Sequence, residues 1–92
     1  MAVVRTHRYT VVTGKLAQLL EQRARLIQGL RSMNPAFTAA TLIRQADGSY
    51  LDIWRWDSAE ARRDTLEFPL VAATATLTTG HTVVDGEVLV ER

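Results

Sequence analysis

The sequence predicts an α+β fold: a ferredoxin-like split βαβ sheet with helices on one face, formed by residues 1–92 as a single domain. Three observations predict it. The hydrophobic period runs strand, helix, strand, strand, helix, strand. An Asp47-Gly48 pair between two short strands marks a tight antiparallel hairpin. Both faces of that hairpin carry apolar side chains, so helices on one face leave the other in need of cover.

Residues 9–12 are β-branched and aromatic and belong to a first strand that begins near Thr6 and ends at Thr13-Gly14. The period then becomes helical. Leu16, Leu19, Leu20, Ala24, Ile27 and Leu30 fall on one stripe, and Gln18, Glu21, Gln22, Arg25 and Gln28 fall opposite. Thr13 is the expected N-cap, because its hydroxyl can accept from a free first-turn amide. Asn34-Pro35 stops the helix, since proline disfavours helical geometry in the residue before it. Residues 37–44 and 50–56 read as the two hairpin strands. Asp57, with Glu60 three residues later, resembles a capping box for a short helix to about Leu66. Pro69 suits the first turn of another short helix over residues 70–78, ended by Gly80. Residues 81–84 read as the fourth strand, Asp85-Gly86 as a second turn and residues 87–90 as a last short strand.

A two-residue turn at Asp47-Gly48 fixes the hairpin register. Tyr50, Asp52, Trp54 and Trp56 then share a face with Phe37, Ala39, Thr41 and Ile43, with Trp54 opposite Thr41 and Trp56 opposite Ala39. Leu51, Ile53 and Arg55 share the other with Thr38, Ala40, Leu42 and Arg44. Each large aromatic ring buries on the order of 150–250 Å². A wet aromatic face would be an apolar patch of the kind that marks an interface or ligand site, so a homodimer covering it is expected. Asp52, flanked by aromatics, needs a partner or a proton if buried. In this register Arg44 lies nearby but on the opposite face.

Composition removes several function classes. The formal net charge is +1 and the basic residues are scattered, which argues against a nucleic-acid partner. The cysteine count of zero excludes disulfides, cysteine-ligated metals and a cysteine nucleophile. The first twelve residues lack the apolar run of a signal peptide, and no stretch approaches a membrane span, so a cytoplasmic protein without a membrane partner is expected. His7 and His81 show no metal-ligand spacing, so no metal site is expected. No Ser-His-Asp set, phosphate loop or paired-carboxylate motif stands out.

The segment Tyr50-Leu51-Asp52-Ile53-Trp54-Arg55-Trp56-Asp57-Ser58-Ala59-Glu60-Ala61 resembles the antibiotic biosynthesis monooxygenase family of dimeric α+β barrels. Family members similarly carry a strand ending in Trp, a short polar step with Ser and an acidic-Ala helix start. Element order and length extend the resemblance over nearly the whole chain. It implies two ferredoxin-like sheets packed face to face, a pocket between sheet and helices in each subunit, and a tail after Gly86 that reaches the partner. The family includes cofactor-free oxygenases of aromatic polyketides, as in secondary metabolism, and haem-degrading enzymes, and it also contains many members with no assigned reaction. The haem degraders use an Asn, a Trp and a His at positions that fall here on His7, near Thr65 and near Ala75, so haem degradation is not expected. The oxygenases use Trp, Asn, Tyr and Arg near the substrate. Trp54, Trp56, Tyr9, Tyr50 and Arg62 supply three of these types as candidate substrate-binding and catalytic residues, while Asn34 falls in a loop.

His7 and His81 are candidate catalytic bases near neutral pH, and Arg62 is a candidate to hold an acidic or enolate substrate. Trp54 and Trp56 either line a pocket for a flat aromatic ligand or pack the core. The expected function is that of a cofactor-free, monooxygenase-like oxidoreductase acting on a small aromatic or quinone-like metabolite, with electrons supplied by the substrate's enolate. The alternative is a non-catalytic dimeric binding or accessory module.

Overall fold

The computed structural model describes residues 1–65 and 76–91. Its elements are β1 (Val3–Val11), α1 (Leu16–Met33), β2 (Phe37–Arg44), β3 (Tyr50–Trp56), α2 (Ala59–Thr65) and β4 (Thr78–Glu87). They form the expected ferredoxin-like arrangement, a four-stranded antiparallel sheet in the order β2-β3-β1-β4. The two central strands therefore carry His7, Tyr9, Asp52 and Trp54.

α1 lies on the sheet face that carries the aromatic rings. Leu26, Ile27 and Leu30 pack with Val3, Phe37, Trp54 and Trp56, while Leu19 packs with Tyr9, Tyr50 and Leu77. The aromatic face is thus covered by the chain's own helix and does not await a second copy. The helical stripe is also rotated from the expected one. Leu20 is exposed and Ala24 faces out, while Arg23 and Leu26 turn inward. Positions 16, 19, 23, 26, 27 and 30 fall on a narrower arc of the helix than the stripe through Leu20 and Ala24, although both keep a three-and-four spacing.

The hairpin differs from expectation in one residue. Gln45 N–H donates to the Ser49 carbonyl at 2.8 Å, and Gly48 N–H donates to the Gln45 carbonyl at 3.0 Å, closing a loop of Ala46, Asp47 and Gly48. Gly48 takes φ +87°, a conformation that side chains with a Cβ disfavour. The extra loop residue shifts β2 by one position. Trp54 pairs with Ala40 rather than Thr41, Asp52 with Leu42, and Tyr50 with Arg44. A bulge between Phe37 and Ala39 then sets Phe37 opposite Trp56, where Ala39 was expected. Arg44 stands on the same face as Tyr50 and Asp52, and its Nε donates to the Tyr50 hydroxyl at 3.1 Å.

The helix ends follow different rules from those expected. Thr13 is not the cap of α1: it lies in a turn closed by Lys15 N–H on the Val12 carbonyl at 2.9 Å, and Lys15 is the residue before the first helical turn. Asn34 ends α1 and clamps it to α2 by donating Nδ2 to the Ala61 carbonyl at 2.8 Å. Ser58, not Asp57, caps α2, accepting at Oγ from Ala61 N–H at 3.2 Å. The helix expected over residues 70–78 lies largely outside the described residues, and Thr78 itself begins β4.

β4 is longer than predicted. Asp85-Gly86 makes no turn, because Asp85 pairs with Arg5 and Gly86 with Val4 along one continuous ladder. Of the expected last strand, only Glu87 lies in β4; the backbone bond of Val88 N–H to the Ala2 carbonyl at 2.9 Å extends its pairing by one step. Gly80 ends no helix. It sits inside β4 at φ +64°, where the ladder with β1 slips by one residue between Arg8 and Thr10.

Candidate active site

Strand alternation places Arg5, His7 and Tyr9 of β1 beside Tyr50, Asp52 and Trp54 of β3 on the helix side of the sheet. Asp52 is the hub of this surface and is 4% exposed. Its Oδ2 accepts from the Tyr9 hydroxyl at 2.9 Å and from Arg23 Nε at 3.0 Å; its Oδ1 accepts from Arg23 Nη2 and Trp54 Nε1, both at 2.8 Å. Burial opposes the charge of Arg23, but the hydrogen bonds and charge of Asp52 outweigh it and raise the guanidinium's pKa. Burial, and then the Asp52 charge, pushes the Tyr9 hydroxyl well above its ordinary range, so it remains a donor. The buried Asp52 carboxylate is thus paired with the part-buried Arg23 and accepts four hydrogen bonds.

Directly across the strands from Asp52 stands His7. Its ring lies 4.8 Å from that of Trp54 and 5.0 Å from that of His81. Nδ1 of His7 and Nε2 of His81 are 2.8 Å apart and share a hydrogen bond. Nε2 of His7 is buried and has no partner among the described residues. Burial first, then the neighbouring His81, pushes the His7 pKa down to about 4, so His7 is neutral at pH 7. Stranding a buried N–H is the rarer arrangement in folded proteins. We therefore assign the tautomer in which Nδ1–H donates to His81, leaving Nε2 as an acceptor with a free lone pair.

The bulge at Gly80 brings His81 to this site. Thr82 pairs with Arg8 on the far face, so His81 turns to the helix side beside Tyr9, its ring 6.1 Å away. Two residues along β1 from His7, Arg5 grips Asp85 with Nε at 2.7 Å and Nη2 at 3.0 Å, and holds the Asp85 carboxyl below its ordinary range. Arg62 Nη1 of α2 stands 3.9 Å from the same carboxylate. One carboxylate between two guanidiniums leaves a net positive edge next to the neutral imidazole.

The structure thus brings His7, His81, Tyr9 and Trp54 into one contiguous cluster and sets Arg62 at its border through Asp85. It does not bring Trp56 there as a free wall. Trp56 is completely buried against Phe37, their ring centroids 5.3 Å apart. Tyr50 joins the cluster at its far end, 6.2 Å ring to ring from Tyr9. The Trp54 N–H is already engaged by Asp52. The side chain of Thr65 and the whole of Ala75 lie outside the described residues. Sequence reasoning missed Arg23, Arg5 and Asp85. Arg23 had a signal, for it lies three residues before Leu26 and four after Leu19 on the true stripe. Among the described residues no group of three or more His, Cys, Asp or Glu side chains is arranged to hold a metal ion. No helix there is long and apolar enough to cross a membrane.

Comparison with known proteins gives a structural answer. No family model matches the sequence, and no curated protein matches it. Solved structures do. A cofactor-independent oxygenase from Streptomyces nogalater, SnoaB, superposes with TM-score 0.79 at 26% identity, over 98% of this chain and 95% of that one. The heme-degrader MhuD from Mycobacterium tuberculosis, whose structure holds two hemes in its active site, superposes with TM-score 0.72 at 25% identity, over 98% of each chain. A Caulobacter crescentus protein assigned to the antibiotic biosynthesis monooxygenases shares the fold, with TM-score 0.81 at 14% identity, over 96% of this chain and 90% of that one.

Proposed function

We propose that this chain, which belongs with the antibiotic biosynthesis monooxygenases by fold and by its Tyr50-to-Ala61 pattern, is a cofactor-independent monooxygenase of a small aromatic or quinone-like metabolite. The observation that carries the reading is the imidazole of His7: half-buried and neutral at pH 7, with a buried Nε2 that has no partner among the described residues, beside an aromatic ring and a positive edge. That is what removal of a weakly acidic proton requires. A general base must be unprotonated at working pH and within reach of the proton it takes. His7 Nε2 accepts the proton from an acidic C–H or phenol. Arg62, with Arg5 behind it through Asp85, stabilises the resulting enolate or phenolate. The electron-rich anion then reduces O₂ to a substrate-bound peroxide, so the electrons come from the substrate. Burial of Nε2 keeps bulk water from it.

Anthrone, a three-ring ketone with an acidic methylene, is the test substrate. The account expects oxygen uptake and formation of the quinone by purified protein, and a fall of about a hundredfold or more in His7→Ala. An uptake rate in His7→Ala equal to that of the wild type contradicts the role of His7.

A non-catalytic binding or accessory role has one observation in its favour. The polar atoms of Tyr9, Arg23 and Trp54 nearest the site are all spent on Asp52, leaving few to direct a reaction. A protein that binds anthrone without consuming oxygen would establish that role.

The reading includes a homodimer. The sheet face away from α1 carries Val4, Thr41, Ile43, Leu51, Ile53 and Val84, an aliphatic surface among Arg8 and Arg55. Ile43 is 42% and Val84 68% exposed. A second copy laid on this face buries it. Sedimentation at micromolar concentration should find a dimer, as a stable interface burying more than roughly 1,200 Å² in total would give. A stable monomer overturns this part of the proposal.

A further inference from the structure

We infer that His81 is the proton relay of the site, carrying to solvent the charge that His7 takes from the substrate. The inference rests on the reading of His7 as the base and adds the route by which that base is reset.

A buried base has a problem that an exposed one lacks. Once Nε2 of His7 accepts a proton, the imidazolium sits where burial disfavours its charge, with Tyr9 and Trp54 committed to Asp52 and Arg5 two residues away on the same face. The nearby carboxylates are already paired, Asp52 with Arg23 and Asp85 with Arg5. The one contact through which His7 can pass a proton, among the described residues, is its Nδ1, 2.8 Å from His81 Nε2. His81 is exposed at the edge of the sheet, so its Nδ1 exchanges with water. The chain builds this contact deliberately: the slip at Gly80 turns His81 to the helix side of the sheet.

The protons balance. Nε2 of His7 gains the substrate proton as Nδ1 gives its own to His81 Nε2, and His81 loses its Nδ1 proton to water. His7 is left as the Nε2–H tautomer, neutral throughout. When the peroxide anion formed from O₂ needs a proton, Nε2–H supplies it and the sequence runs backwards. Water protonates His81, His81 reprotonates His7 at Nδ1, and both rings regain their starting tautomers. His81 touches His7 and not the substrate, so its role is positioning and relay.

The test separates relay from mere positioning and does not depend on oxygen. Anaerobic exchange of the anthrone methylene for deuterium, followed by NMR in dilute buffer, reports base catalysis alone. His81→Gln keeps an acceptor for His7 Nδ1–H but passes no proton; His81→Ala removes both functions and opens space for free imidazole. The inference expects exchange to slow about tenfold to a hundredfold in both variants, and added imidazole to restore only His81→Ala. His81→Gln exchanging at the wild-type rate overturns the relay, as does a folded His81→Ala that imidazole fails to accelerate. Deuterium exchange in wild type without oxygen uptake defeats the oxygenase reading and leaves the relay standing. A wild type that catalyses neither overturns both.

Discussion

Asp52 and His7 face each other across neighbouring strands, yet one is saturated and the other is left open. Asp52 accepts hydrogen bonds from three side chains. His7 keeps a buried nitrogen without a partner among the described residues. Burial presses on both. The carboxylate meets it with a bidentate guanidinium and two neutral donors; the imidazole meets it by giving up its proton. A saturated buried group holds a fold together, and an unsaturated one has capacity left for a ligand. The Asp52 cluster holds Trp54, whose ring lies beside His7, and Tyr9, whose ring lies beside His81.

The contrast breaks most visibly at Asp52. Asp52→Ala strands the Arg23 charge between α1 and the sheet and removes the acceptor of Tyr9 and Trp54. It should lower stability by about 3–5 kcal/mol in urea unfolding, or prevent folding. Pairing Arg23→Met with Asp52→Leu should cost less than Asp52→Ala alone, because no charge is then left unpaired. A loss under about 1 kcal/mol in Asp52→Ala would show the cluster to be solvated.

His7 sharpens the contrast through pH. Its pKa is about 4 when folded, below the ordinary 6.5, so the unfolded chain binds this proton more readily. Stability should therefore fall as pH drops from 6.5 towards 4, then level off for this group, by on the order of 2–3 kcal/mol. The contributions of Asp47 and Asp85, whose folded pKa values lie below the ordinary 3.8, are lost only at lower pH. Urea midpoints of the wild type and His7→Phe, measured at several values between pH 7 and pH 4, separate the two. The wild-type slope between pH 7 and pH 5, above the range in which Glu60, Asp47 and Asp85 contribute, should vanish in the variant, and a slope that persists there would assign it to another group.

Trp54 gives the smallest effect. Trp54→Phe keeps the ring beside His7 and removes one donor to Asp52, which retains three bonds. Thermal unfolding should show a loss of about 1–2 kcal/mol. Anthrone binding should be unchanged, since the N–H faces Asp52 and not a ligand. A sharp fall in binding with unchanged stability would return the N–H to the ligand.

The order of elements was legible in the sequence because period and punctuation are local. The site was not, because it depends on three single-residue offsets. The Asp47-Gly48 signal marks a hairpin but does not distinguish a two-residue loop from the three-residue one, and that choice moves the β2 side chains from Ala39 to Arg44 to the other face, while the bulge returns Phe37 to the expected one. The α1 stripe passes through Arg23, a residue type that a search for apolar positions skips, so the partner of Asp52 stayed hidden. The Gly80 slip that turns His81 towards His7 reads locally as a helix end, and only strand pairing shows it as a bulge. His7, Tyr9, Trp54 and His81 were nonetheless recognisable by chemistry, as bases and aromatic walls without any assigned contact.

The central claim is that His7 is a neutral base, and NMR of the ¹⁵N-labelled imidazoles tests it most directly. The account predicts that His7 holds its proton on Nδ1, shows a coupling to His81 across the shared hydrogen bond, and stays neutral until the pH nears 4. Titration of His7 near its ordinary 6.5, or a ring carrying its proton on Nε2, would contradict it.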